Sequence, residues 1–185
     1  MRDVSIGLVH YPVLDGRREI VTTAVTNLDV HDLARSARTY GCRRYFVVHP
    51  IEAQRQLVGR IVDHWTHGSS AKRIPDRKEA LSIVETVPSL EATYAAMGGR
   101  DAIEVWITAA RDLDRRRTLA EARAELAQDG KPVLILFGTG WGLAASVVDA
   151  ADAILAPVRG PTSYNHLSVR AACAIVLDRL LAPEA

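Results

Sequence analysis

Cysteine is scarce: Cys42 and Cys173 are the only two, too few for a disulfide framework or a four-thiolate metal site. Neither has a base beside it, and both sit in apolar stretches, so both are read as core residues. Long hydrophobic runs are missing as well. Val133 to Phe137 and Ala171 to Leu177 are the longest, far below the roughly 18 residues of a membrane span. The opening MRDVSIGLVHYP shows no basic-then-apolar-then-small leader, so no export signal is expected and a cytoplasmic location is. Internal repeats, low-complexity tracts and a dividing linker are also lacking, which leaves a single domain over 1–185 as the expectation. GxSxG, Walker, EF-hand and HExxH motifs do not occur. His64 and His67 lie three apart on an expected helix, yet no third ligand of fitting type is near in sequence, so no metal site is expected.

Net charge is nearly absent too, with 23 Lys and Arg against 22 Asp and Glu. That balance is an average over unlike segments. Residues 1–30 hold 3 basic and 4 acidic side chains, residues 31–78 hold 10 and 4, and residues 79–185 hold 10 and 14. A local excess in the middle segment can make a positive field that the total conceals, or can merely be a solvated face.

What the chain does have is hydrophobic content, 48% of residues, arranged in alternating patterns. Strand-like runs recur at Val4–His10, Arg44–His49, Ile103–Ala109, Val133–Gly138 and Ala153–Ala156, with a weaker one at Leu81–Val87. Helical spacing separates them. Val30, Leu33, Ala34 and Ala37 follow i, i+3, i+4, i+7, with Gly41 as a stop. Ile51–His67, Ser89–Met97, Leu119–Asp129 and about His166–Leu181 read as further helices. The last is apolar nearly all round and is expected to be buried or to pack on a partner. Strand and helix in alternation predict an α/β fold, a mostly parallel sheet covered by helices on both faces. The charged loop Asp112–Arg117 and the loop Val13–Arg18 are expected to be mobile.

Three stretches can carry chemistry. Lys131–Leu143 runs an apolar strand into Gly138, Gly140 and Gly142, which lets the backbone turn sharply and approach a ligand with its N–H groups exposed. The spacing is not the GxGxxG of a dinucleotide fold, and only about 45 residues follow it, too few to build that sheet. Pro157–Tyr164 leads into the last helix, which Asn165 or Ser163 can cap, so that its positive end faces the same sheet edge. In Thr22–Arg38, Asn27 or Asp29 can cap a helix whose His31, Arg35 and Arg38 share one face. Two guanidiniums there suit phosphate or carboxylate, or form an ordinary solvated face.

Together LVHYPV (Leu8–Val13), TAVTNLDVHDLARSARTYG (Thr23–Gly41), PVLILFGTGWGL (Pro132–Leu143) and YNHLSVRAACAIVLDRL (Tyr164–Leu180) resemble the SPOUT superfamily of trefoil-knotted RNA methyltransferases. The nearest likeness is to its small stand-alone bacterial family dependent on S-adenosylmethionine. The resemblance implies a six-stranded, mostly parallel sheet with a deep C-terminal trefoil knot, a homodimer, and methyl transfer to a base nitrogen or ribose 2′-oxygen of tRNA or rRNA. It implies a donor pocket at Leu136, Phe137, Gly138, Thr139, Gly140, Trp141 and Gly142, at Leu155 and Pro157, and at His166, Leu167 and Ser168, with backbone amides holding the adenine. Many relatives read Asn, five residues, Arg in the first motif; here Arg35 stands at the arginine, Asp29 six before it and Asn27 two further back. Asp29, Arg35 and Asn27 are thus the catalytic candidates, Asp29 as a base suited to a ring nitrogen. Arg35, Arg38 and His31 are the RNA-binding candidates. No membrane or metal enters this reading; its rival is a non-catalytic knotted protein that binds the donor or a nucleotide beside RNA. Nothing in 185 residues is left over for a separate RNA-binding module.

Overall fold

Every residue of Val4–Val9 is buried, the mark of a strand covered on both faces, and this strand (β1) lies in the interior of the sheet. The computed structural model describes residues 1–67, 70–114 and 116–183. After β1 come β2 (Val13–Leu14), β3 (Ile20–Val21), α1 (Asn27–Thr39), β4 (Tyr45–Val48), α2 (Glu52–Thr66), α3 (Ser70–Arg73), α4 (Pro75–Leu81) and β5 (Val84–Val87). The remainder is α5 (Leu90–Ala96), β6 (Glu104–Thr108), β7 (Arg116–Arg117), α6 (Leu119–Leu126), β8 (Val133–Gly138), α7 (Ala145–Asp149), β9 (Ala153–Leu155) and α8 (Val169–Leu181).

Seven strands form one sheet in the order β5-β4-β1-β8-β6-β9-β7, with every pairing parallel. The added seventh strand is the two-residue β7, which lies within the loop expected to be mobile. Asp112 there pairs with Arg116 at 2.8 Å and with Arg159; Arg115 is outside the described residues. The loop from Val13 is likewise built, as an antiparallel β2–β3 hairpin. Its turn is closed by the Arg17 and Glu19 amides donating to Asp15 Oδ1 at 2.8 and 2.9 Å.

Alternate residues of each strand enter different cores. Ile6, Leu8, Tyr45, Trp106, Ile135 and Phe137 pack with α1, α2, α6 and α8. Phe46, Val48, Val105, Ile107 and Leu136 pack with α5 and α7 on the other face. Cys42 and Cys173 are both buried in the first core, where burial pushes the Cys42 thiol up to about 12 and Cys173 up as well. The helix α8 settles between α1 and α6, burying Cys173, Val176, Leu177 and Leu180. At the carboxyl edge, the loops after β1, β6, β8 and β9 all emerge together, the usual place for a ligand in an open parallel sheet.

Candidate active site

The strand β8 ends in Gly138 because nothing larger fits: a Cβ there would stand 2.9 Å from Leu143 Cγ and 3.0 Å from its amide nitrogen. The chain then turns through Gly140 at φ 60° and Gly142 at φ 104°. Contrary to the expectation of exposed amides, the loop spends most of them on its own scaffold. Thr139 donates to Val9 O at 3.3 Å, Trp141 to Leu14 O at 2.9 Å and Gly142 to Thr139 O at 3.1 Å. The β2–β3 hairpin thus holds the loop, and Gly16 lies against the Trp141 indole.

Opposite stands the N-terminus of α8. Its cap is Ser168, whose side chain accepts from the Ala171 amide at 3.2 Å, rather than Asn165 or Ser163. Asn165 instead donates from Nδ2 to Ala110 O at 2.6 Å, tying the segment before α8 to the loop after β6. Between the glycine loop and this helix end lies a cavity of about 810 Å³, within the roughly 300–1,000 Å³ of small-molecule sites. Ile107, Phe137, Leu143, Val148 and Val158 give it apolar lining, and Arg111, Arg159, Asn165 and His166 add polar groups. A mostly apolar cavity with a few polar groups and a helix N-terminus suits a nucleoside-like ligand.

Asp29 and Arg170 also line this cavity. Asp29 is buried in the first turn of α1, which Thr26, not Asn27 or Asp29, caps by accepting the Asp29 amide at 3.2 Å. Arg170 Nη1 donates to Asp29 Oδ1 at 2.9 Å, and its Nε lies 3.3 Å from Asp32 Oδ2. The pair joins the first motif to the last, 141 residues apart in sequence.

Below the glycine loop lies a polar cluster in which His10 and His49 are buried while Thr23 and Thr139 are half-buried and line the cavity. His10 Nδ1 is 2.9 Å from Thr23 Oγ1, Thr23 Oγ1 is 2.5 Å from Thr139 Oγ1, and Thr139 Oγ1 donates to Val9 O at 3.0 Å. His49 Nε2 sits 2.9 Å from the Thr23 carbonyl, and the two imidazoles are 5.2 Å apart. Burial, then the neighbouring His49, pushes His10 down to about 4 against a weaker pull from Asp29. Burial also lowers His49.

Of the expected donor residues, Phe137, Gly138, Thr139, Gly140, Trp141, Gly142, His166, Leu167 and Ser168 line the cavity. Leu136 points into the opposite core, Leu155 is buried in the sheet, and half-buried Pro157 lies outside the lining while its neighbours Ala156 and Val158 are in it. Of the first-motif candidates, Asp29 alone lines it. Asn27 is exposed at the start of α1. His31 packs edge-on to Trp65 at 5.5 Å, and burial, then Arg77, lowers its pKa. Arg38 is bound to Glu79 at 2.5 Å, and Arg35 is exposed with no ion pair among the described residues. Sequence reasoning missed His10, Thr23 and Arg170 as site residues. All three stood in the quoted motifs, but their pairing spans strands and helices distant in sequence. Among the described residues, no group of three or more His, Cys, Asp or Glu is placed to hold a metal, and no helix is long and apolar enough to cross a membrane.

Comparison with known proteins agrees with this geometry. A family described as SAM-dependent RNA methyltransferase matches residues 3–182. A protein of Nitratidesulfovibrio vulgaris named tRNA (guanine-N(1)-)-methyltransferase is 42% identical over 182 residues, which are 97% of this chain and 42% of that protein. The chain therefore spans less than half the length of that relative. An Aquifex aeolicus protein of undescribed activity is 36% identical over 181 residues, covering 96% of this chain and 88% of its own. Among solved structures, TrmJ from Z. mobilis ZM4 is similar with a TM-score of 0.64 at 16% identity, over 100% of this chain and 70% of that one. The A. aeolicus TrmH/SpoU tRNA modifying enzyme gives 0.59 at 13%, over 98% and 75%. The chain belongs to the family of SAM-dependent RNA methyltransferases, on the fold of the SpoU and TrmH enzymes.

Proposed function

We propose that this chain transfers a methyl group from S-adenosylmethionine to a nucleotide of tRNA or rRNA. The observation that carries the reading is the single cavity in which the glycine loop, the N-terminus of α8 and the Asp29–Arg170 pair meet. The residues present fit the donor: the adenosyl group suits the apolar lining of Ile107, Phe137 and Val158, and its charged part suits the polar lining groups Arg111, Arg159, Asn165 and His166. When bound, the donor supplies an already activated methyl on a sulfonium, so the protein's task is placement of the acceptor and removal of its proton.

Asp29 is the base in this reading. Arg170 occupies its Oδ1, which fixes the carboxylate and leaves Oδ2 for a proton from the acceptor, as a guanine ring nitrogen would require. Asp29→Asn is expected to lower the methylation rate by about 100-fold or more with donor affinity little changed. A rate near that of the wild type removes Asp29 from the role.

RNA would lie across α1 to α4. Arg35, Arg60, Lys72 and Lys78 are exposed there without ion pairs among the described residues, while Arg38, Arg43 and Arg44 are committed to Glu79, Asp3 and Glu85. Residues 68 and 69 of this basic segment are outside the described residues. We infer a cytoplasmic homodimer in which the half-buried Ala171, Ala174 and Ile175 of α8 meet a second copy. The return of the chain past Ala110 and Asp112, held by Asn165 and Arg159, is where the trefoil knot of the SPOUT superfamily would thread.

Calorimetric titration with S-adenosylmethionine tests the pocket, and nucleoside mass spectrometry of RNA from cells with and without the protein tests the reaction. One methylated nucleoside missing from the deletion strain is the expected result. Donor binding with no missing nucleoside would favour a non-catalytic RNA accessory protein instead.

A further inference from the structure

His10 and His49 are both fully buried, and neither lines the cavity. Proton counting nevertheless fixes what each does. A threonine hydroxyl has one proton to donate. Thr139 gives its proton to Val9 O, so in the 2.5 Å contact with Thr23 it accepts, and Thr23 donates. With its proton spent, Thr23 Oγ1 must accept from His10, so Nδ1 of His10 carries hydrogen. His10 Nε2 is then a bare acceptor, in keeping with its lying buried with no hydrogen-bond partner among the described residues. His49 has the opposite tautomer. Its Nδ1 accepts from the Ile51 amide at 3.1 Å, so the hydrogen is on Nε2, which donates to the Thr23 carbonyl.

Thr23 is thus held at every polar group. Its amide donates to His10 O at 3.0 Å, its carbonyl receives His49, and its hydroxyl receives His10. The one remaining degree of freedom, its hydroxyl proton, is aimed at Thr139. Thr23 Cγ2 also stands 3.4 Å from where a Cβ on Gly140 would be, so the residue lies beside the glycine loop at the position after Thr139, while its hydroxyl is what bonds the loop.

We propose that His10 and His49 are positioning residues for methyl transfer: as a neutral pair of opposite tautomers they clamp Thr23, whose hydroxyl holds Thr139, and with it the glycine loop, in the shape that receives the donor. An acceptor left unpaired in the interior costs stability and is retained where it serves something else. Here the bare Nε2 follows from keeping His10 in the tautomer that the clamp needs. The inference rests on the reading of the cavity as the donor site.

Two measurements test it. Long-range proton–nitrogen NMR of the wild type is expected to show hydrogen on Nδ1 of His10 and on Nε2 of His49; the reverse assignment at either ring overturns the clamp, whatever the donor does. Calorimetry with S-adenosylmethionine is then run on Thr23→Val, which keeps the shape and deletes the hydroxyl, and on Thr23→Ser, which restores it. The expected result is about tenfold weaker donor binding for the valine variant and near-normal binding for the serine variant. Equal affinities for wild type and valine variant, or an equal loss in both variants, overturn the positioning role. A wild type that binds no donor while showing the stated tautomers removes the donor-site reading, and the positioning role with it, but leaves the clamp itself standing.

Discussion

At Gly140 the backbone conformation and the space around it agree. Its φ is 60°, and a Cβ would come within 2.8 Å of the Leu14 carbonyl oxygen. The left-handed strain and the contact with fixed backbone add, so Gly140→Ala is expected to cost about 2 kcal/mol and to weaken donor binding. Chemical denaturation and calorimetry check the two effects separately. His10 supplies a pH signature. Its folded pKa of about 4 lies below the ordinary 6.5, so the unfolded chain binds the extra proton between those values. Stability is therefore complete above about pH 6.5 and falls as pH drops toward 4, by about 3 kcal/mol for this one residue. Melting temperatures measured over that window are expected to drop, and to drop less steeply for His10→Asn, whose amide can still donate to Thr23 but does not titrate.

At the scale of elements, caps decide where the functional helices begin. The first turn of α8 meets the cavity only because Ser168 stops the helix there and satisfies the Ala171 amide. Ser168→Ala is expected to cost about 1 kcal/mol and to loosen the donor pocket, read as a lower denaturation midpoint together with weaker donor binding. Cap placement was only partly legible in the sequence. The stretch before the helix offers Asn165 and Ser163, and the 3.6-residue period of an almost wholly apolar helix does not point to Ser168, the residue that caps it. Strand segments were easier to read, because a strand buried on both faces is a continuous apolar run, as Val133 to Phe137 is. The short helices α3, α4 and α7 were not, having four, seven and five residues. So few turns give little periodicity, and they are set by what they pack on.

Over the whole molecule, the near-zero net charge hides a basic segment that is itself partly neutralised by folding. Arg38, Arg43 and Arg44 meet acidic partners from other segments, Arg55 donates to the His49 and Pro50 carbonyls and Arg77 lies over the Trp65 ring. Arg35, Arg60, Lys72 and Lys78 are exposed without ion pairs among the described residues and are the cations offered to phosphates. RNA affinity is therefore expected to fall with salt at a logarithmic slope near −3 to −4. Arg35→Glu is expected to flatten that slope by about one, as measured by filter binding across a salt series. By itself, the sequence determined the α/β class, the parallel sheet, the glycine loop and the presence of a final helix, because those depend on periodicity and on residues adjacent in the chain. Tertiary structure alone decided that Asp29 meets Arg170, that His10 and His49 close on Thr23, and that Arg38 is spent on Glu79 while Arg35 is left exposed. Each is a contact between elements far apart in sequence, and such a contact exists only after the sheet order has set which loops share an edge.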